Sequence, residues 1–262
     1  LCDRRQRQMC IRDRNRAARL IFRMERKMKE LSNNKVMVFG DSVSKGVVYD
    51  GRELSVLDNG VVKEVTDHYR VEFKNISVYG QTLKRLYDRR IIDKHLKEMS
   101  DEDAALTYVV LVIGGNDCDF DWKSVSDDPE ASHICKTPLE TFKQKYARML
   151  ETIKRFGGKP VVLNLPPIDS GRYFRWISRN LSPSRILRFL KEVGFIGRWQ
   201  EMFNIAAVQV ASAAGVPVID IRSAFLAQPD FRSYLCADGI HPNEAGQKLI
   251  YGAIRRQLPS AT

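Results

Sequence analysis

Hydrophobic and polar positions along the chain follow two alternating rhythms. Short runs rich in β-branched residues occur at 35–39 (KVMVF), 70–78 (RVEFKNISV), 106–113 (LTYVVLVI), 160–165 (PVVLNL) and 216–221 (VPVIDI). Such runs suit strands that are buried on both faces. Between them, apolar residues recur at spacings of three and four over 81–98, 138–156, 199–213 and 243–257, as in Leu139, Phe142, Tyr146, Met149 and Ile153. That spacing makes one apolar helix face. Strands alternating with helices over the whole length predict an α/β fold with a five-stranded parallel sheet covered on both sides. Two connections are longer than such a fold needs, 117–137 and 166–198, the second with a short helix predicted near 183–193. Long connections are where binding and catalytic residues collect.

The polar residues that follow the strands change the picture most, because in an open parallel sheet ligands bind beyond the carboxyl ends of the strands. After the first predicted strand comes Gly40-Asp41-Ser42, after the second Tyr79-Gly80-Gln81-Thr82, and after the third Gly114-Gly115-Asn116-Asp117. A serine, a glycine and an asparagine thus reach one edge. These are parts that acyl transfer uses. A serine hydroxyl needs a histidine to take its proton and a third group to hold the imidazole. The oxyanion needs donors aimed at it in advance, and the backbone N–H groups of Ser42 and Gly80 with the Asn116 amide would serve. Among the four histidines, His241 follows the fifth strand in CADGIHPNEAG, with Asp238 three residues before it. His68, His95 and His133 are read as ordinary surface residues, and Asp117 as a support for its loop. Each motif also has a plain reading: Ser42 as a helix cap, Gly80 or Asn116 as turn residues, His241 as part of a loop before Pro242.

Four blocks in order carry a family resemblance. FGDS at 39–42, Gly80, GGND at 114–117 and DGIHPN at 238–243 resemble the serine, glycine, asparagine and histidine blocks of the SGNH hydrolases, the GDSL esterase/lipase family. The resemblance implies a three-layer α/β/α, flavodoxin-like fold and hydrolysis of carboxylic esters through an acyl-enzyme, with no cofactor and no metal. It implies Ser42 as nucleophile, His241 as base, Asp238 as its orienter, and Ser42, Gly80 and Asn116 as the oxyanion hole. The substrate is expected to be a small-molecule ester, with a small acyl group such as acetyl or a lipid-like one. An acyltransferase or thioesterase using the same residues, and a non-catalytic binding protein of the same fold, are the alternatives.

Composition narrows this only in places. The 262 residues, 44% of them hydrophobic, suit one domain with a substantial core. No run of about 18 uncharged apolar residues is present and the N-terminus lacks the apolar block of a secretory signal, so no transmembrane segment and a cytoplasmic location are expected. Cys2, Cys10, Cys118, Cys135 and Cys236 form no CxxC pair and no cluster with histidine, which points to free thiols. The net charge of +11 is concentrated in residues 1–29, which hold 11 Lys/Arg against 3 Asp/Glu, leaving 32 against 29 for the remainder. We therefore read 1–29 as a basic extension with a solvated face, expect no nucleic-acid partner, and take 30–262 as the hydrolase domain carrying an insertion at about 166–198. MCIRDR at 9–14 resembles a translated sequencing-adapter remnant, so both a natural and an artefactual origin stay open for residues 1–14.

Two further patterns fail their templates. DCDFD at 117–121 alternates carboxylates as a calcium loop does, but Trp122 stands where that loop needs glycine and Asp128 where it needs glutamate. In GDSVSKG, Lys45 precedes Gly46, the reverse of a phosphate loop. The insertion is harder to assign. Over 169–199 it holds seven Arg/Lys against two Asp/Glu, interleaved with six aromatic residues. It is read either as a lid over the site or as an amphipathic helix with its arginines in solvent.

Overall fold

The computed structural model describes residues 34–258 apart from 59 and 70, so the extension read over 1–29 lies outside the described residues. Strand β1 (Lys35–Gly40) pairs in parallel with β4 (Glu72–Asn75) on one side and β5 (Thr107–Val112) on the other. Strand β6 (Lys159–Leu163) and then β7 (Val218–Ile219) extend the sheet, giving the order β4-β1-β5-β6-β7, parallel throughout. The fold is the expected α/β sandwich.

Because successive strand residues point to opposite faces, the strands divide between two cores. Met37, Phe39, Val109, Leu111 and Ile113 face one layer, where they meet Leu83, Phe142, Tyr146, Leu150 and Phe203. These come from helices α3 (Leu83–Asp88), α7 (Leu139–Arg155) and α10 (Phe195–Ala213), with α4 (Ile91–Lys97) beside them. Val38, Val112, Val161, Leu163 and Ile219 face the other layer, against Phe225 of α11 (Arg222–Leu226) and Ile250 and Ile254 of α12 (Glu244–Gln257). Helix α2 (Val61–Tyr69) completes that side, leaving an apolar cavity of about 120 Å³ lined by residues such as Val65, Phe73, Tyr108 and Ile250.

The predicted helix over 81–98 is two helices. Arg90 takes a left-handed conformation (φ 50°) between α3 and α4, and a non-glycine residue there ends regular helix. The second and fifth predicted strands shrink to four and two residues, yet the apolar runs still pair. Ile76 and Val78 donate their N–H groups to Val38 and Gly40 carbonyls, and Val162 N–H reaches the carbonyl of Pro217, a residue with no N–H to return. Elements not foreseen are α2, α5 (Asp101–Leu106), the hairpin of β2 (Val47–Tyr49) with β3 (Leu54–Val56), α6 (Trp122–Asp127), α8 (Ser170–Ser178), α11 and the 3₁₀ turn Phe231–Tyr234. The helix predicted near 183–193 is α9 (Pro183–Leu190). No helix among the described residues is long and apolar enough to cross a membrane.

Candidate active site

Strand β1 delivers Ser42 to the sheet edge through a one-residue link. Asp41 caps α1 (Ser42–Lys45), its Oδ1 accepting the Val43 N–H at 2.9 Å, so Ser42 is the first residue of the helical turn. Ser42 Oγ lies 2.8 Å from His241 Nε2. His241 Nδ1 lies 2.6 Å from Asp238 Oδ2, and the other oxygen of Asp238 accepts the N–H groups of Ile240 and His241 at 3.0 and 3.1 Å. Asp238, His241 and Ser42 are 0, 3 and 7% exposed. Burial pushes the Asp238 carboxyl upward, but the hydrogen bond and charge of His241 and the two backbone donors outweigh it and hold it below its ordinary value. A carboxylate so held fixes the Nδ1–H tautomer and leaves Nε2 to accept the serine proton.

The loop that carries this pair is closed by its own backbone: Cys236 N–H donates to the His241 carbonyl at 2.8 Å and Gly239 N–H to the Cys236 carbonyl at 3.0 Å. Gly239 has φ 78°, and a Cβ there would lie 2.7 Å from the Asp169 carbonyl oxygen. Only glycine allows that approach. Asn243 then caps α12, its Oδ1 accepting Gly246 N–H at 3.0 Å.

On the other side stand Gly80 and Asn116, on the connections after β4 and β5. Gly80 has φ 67° with open space around its Cβ direction, so glycine is needed there for conformation rather than for close approach in the free protein. Asn116 Nδ2 donates to Asp41 Oδ2 at 3.1 Å. An amide has two such hydrogens, and one remains. Burial pushes the Asp41 carboxyl up to about 6, against the opposing effects of the Val43 N–H, His241 and Asn116. Asp117, fully buried, accepts the Leu83 N–H at 2.8 Å and the Thr137 hydroxyl at 2.5 Å. This one carboxylate ties the start of α3, just beyond Gly80, to the loop of Asn116, which is the supporting role read for it in the sequence.

The 166–198 segment flanks both sides. Asp169 N–H donates to the Gly239 carbonyl at 2.8 Å, and Arg172 Nη1 donates to the Arg232 and Leu235 carbonyls at 2.7 and 3.2 Å. Helix α8 therefore braces the loop of Asp238 and His241. Farther along, Leu190, Phe195 and Ile196 join Phe120, Trp122 and Trp199 around a cavity of about 80 Å³ that opens beside Ser42, Asn116 and His241. The segment's charged residues are partly engaged with the chain itself: Arg185 with the Asp127 carbonyl, Arg179 stacked on Trp176, Arg198 on Glu192.

The sequence model of the family described as the GDSL-like Lipase/Acylhydrolase family matches residues 38–249. The chain belongs to this family. A GDSL esterase/lipase of Arabidopsis thaliana, CPRD49, is 27% identical over 166 residues, which is 61% of this chain and 58% of that protein. The chain thus matches somewhat over half the length of that curated relative. Among solved structures, LAE5, an alpha/beta hydrolase enzyme from the metagenome of Lake Arreo, aligns with a TM-score of 0.59 at 20% identity, over 88% of this chain and 97% of its own. An acetylxylan esterase from Geobacillus stearothermophilus aligns with a TM-score of 0.59 at 16% identity, over 87% and 95%. At these identities the structural likeness concerns the fold.

In this GDSL-family chain, the residues singled out from the sequence arrive at one edge of the sheet, with Ser42, His241 and Asp238 in direct contact. Two other expectations need correction. His68, His95 and His133 are all half-buried rather than surface residues, because His95 packs on Phe39, His68 on Tyr69 and Tyr251, and His133 on Phe189, and the first two each leave one buried ring nitrogen without a partner. Burial lowers the pKa of His95. The arginines of 166–198 are not all solvated, since Arg172 holds backbone carbonyls. Cys118, Cys135 and Cys236 are free and buried. The sequence reading gave no role to Tyr79, which is 51% exposed yet lies over His241 with ring centroids 6.3 Å apart and planes 26° apart. An aromatic residue just before the glycine block was the available signal.

Proposed function

We propose that this GDSL-family chain is a serine esterase that cleaves carboxylic esters through an acyl-enzyme on Ser42. The observation that carries the reading is the buried relay from Asp238 to His241 to Ser42, with contacts of 2.6 and 2.8 Å. In the proposed cycle His241 Nε2 takes the Ser42 proton as Oγ attacks the ester carbonyl. The oxyanion is held by the N–H groups of Ser42 and Gly80 and by the second Nδ2 hydrogen of Asn116. His241 then returns the proton to the departing alcohol, and water repeats the sequence on the acyl-enzyme. Asp238 keeps the imidazole in the tautomer that this exchange needs. Every step uses side chains and backbone already at hand, so the mechanism calls for no cofactor.

The test is hydrolysis of p-nitrophenyl acetate by the wild-type chain and by Ser42→Ala. The expected loss of kcat is on the order of 10⁴-fold or more, as when a nucleophile acting in a unit with its base is removed. Equal turnover in the two proteins would sink the reading. Transfer of the acyl group to an added alcohol, measured as ester product against free acid, separates an acyltransferase from a hydrolase that shares the same intermediate.

A further inference from the structure

The proposed cycle makes no use of the cavity beside Ser42. Its apolar walls come from Phe120 after β5, Ile168 before α8, Leu190 at the end of α9, and Phe195, Ile196 and Trp199 of α10. The polar groups within those walls are bonded to one another. Tyr173 Oη and Trp122 Nε1 both donate to Asp119 Oδ1, at 2.8 and 2.7 Å, while Lys136 Nζ holds Asp119 Oδ2 at 2.8 Å. Trp199 Nε1 donates to the Cys118 carbonyl at 3.0 Å, and Gln200 bridges the Pro166 carbonyl and Arg222 at 3.0 and 3.2 Å. Groups already paired gain little from a polar ligand, whereas each methylene buried against such walls improves binding about fourfold. An anionic group would face the Asp41 and Asp119 carboxylates that also line the cavity.

Size sets the second limit. An apolar cavity of about 150 Å³ holds a six-carbon ring, so the 80 Å³ found here has room for about three to five carbons. Direction sets the third. The leaving alcohol must depart over His241 Nε2, on the side where Tyr79 lies half in solvent; Tyr79 does not line the cavity, whose walls pass from Ser42 and Asn116 to the buried Leu190 and Ile196.

Resting on the reading of Ser42 as an acylated nucleophile, we propose that this cavity is the acyl subsite and selects uncharged aliphatic acyl groups of about four to six carbons, counting the carbonyl. Long lipid chains and dicarboxylic acyl groups are excluded, and the alcohol is left unrestricted in size. The insertion is thereby the specificity element of the enzyme.

The experiment is a series of p-nitrophenyl esters from acetyl to dodecanoyl, with one constant leaving group. The expected kcat/KM rises about fourfold per carbon to a maximum between butanoyl and hexanoyl and falls beyond it. Leu190→Ala should move the maximum to longer chains, and Ile168→Trp should move it towards acetyl. A maximum at acetyl, a maximum beyond octanoyl, or variants that leave the profile in place overturn the proposal. So does a series of alkyl acetates in which the same variants shift the preferred alcohol instead. A serine-directed fluorophosphonate keeps the two readings apart: labelled Ser42 with the wrong profile removes only the subsite, while a wild-type chain that is not labelled removes the esterase reading beneath it.

Discussion

Ser42, Gly80 and Asn116 leave three different strands of the sheet, and carboxylates tie them together, whereas Asp238 and His241 share one short loop closed by its own backbone bonds. Parallel strands end side by side but their following loops have no ladder to join them. The nucleophile and oxyanion half therefore depends on Asp41 and Asp117, two acids taken out of water, each serving donors from a neighbouring loop. The acid-base half has several smaller ties: the Cys236–His241 bond, the turn at Gly239, and the grip of Asp169 and Arg172 from the insertion. The lesson is that a site gathered from several strands concentrates its support in a few buried groups, while a site on one loop can spread it.

If that contrast is right, the largest single effect comes from Asp117→Ala. It strands the Leu83 N–H and the Thr137 hydroxyl in the interior, at a cost of about 3 kcal/mol, or a Tm lower by roughly 6–12 °C. Calorimetry checks it, and an unchanged Tm would mean that the two loops are held by something else. Next is Asn116→Ala, for which kcat for a p-nitrophenyl ester should fall about a hundredfold, with a Tm loss smaller than that of Asp117→Ala because Asp41 keeps the Val43 N–H.

Asp41→Asn sharpens the comparison through pH. The ionised Asp41 faces His241 and orients the Asn116 amide, and it takes up a proton near pH 6. Wild-type kcat/KM should accordingly decline as pH drops through about 6, and Asp41→Asn should lose roughly tenfold at pH 8, where the charge is otherwise present. Stability runs in the opposite direction. A carboxyl whose folded pKa is raised from 3.8 to about 6 destabilises the fold when ionised, so wild type should gain Tm relative to Asp41→Asn as pH is lowered across that interval. Asp238, held below its ordinary value, contributes stability that is lost on acidification, but it is common to both proteins and cancels in the difference. A Tm difference that does not move with pH would contradict the burial argument.

The smallest effect belongs to Arg172→Ala. Its two carbonyl bonds are part of a distributed brace, so a loss of about 1 kcal/mol is expected, with kcat reduced only a few-fold. A collapse of activity would show that the acid-base loop is as concentrated in its support as the other half.

The same contrast explains what could be read from the sequence. Ser42, Gly80 and Asn116 stand within three residues of an apolar run's carboxyl end, and this placement brought them to one edge; Asp238 and His241 come only after α11 and a 3₁₀ turn beyond the fifth run, and were legible as an Asp-x-x-His pair in the order of the four blocks. The insertion resisted because charge and aromatic content do not say which face of a helix meets a wall. Trp199 and Leu190 line a cavity while Arg172 grips a loop, and only tertiary packing separates those fates. Helix α2 was legible in part, since Val61, Val65 and Tyr69 recur at a spacing of four, but VVKEV also reads as a strand. Helix α8 carried a capping signal in Asp169, whose Oδ1 accepts the Gly171 and Arg172 N–H groups. The break at Arg90 had no signal, because nothing in DRRII marks a left-handed residue.

The central claim is that Ser42 is the residue that carries the acyl group. Intact-protein and peptide mass spectrometry after incubation with a p-nitrophenyl phosphonate tests it most directly. A single covalent adduct is expected on the peptide containing Ser42, formed by wild type and absent from Ser42→Ala. An adduct on another residue, or none on a folded wild-type chain, would contradict it.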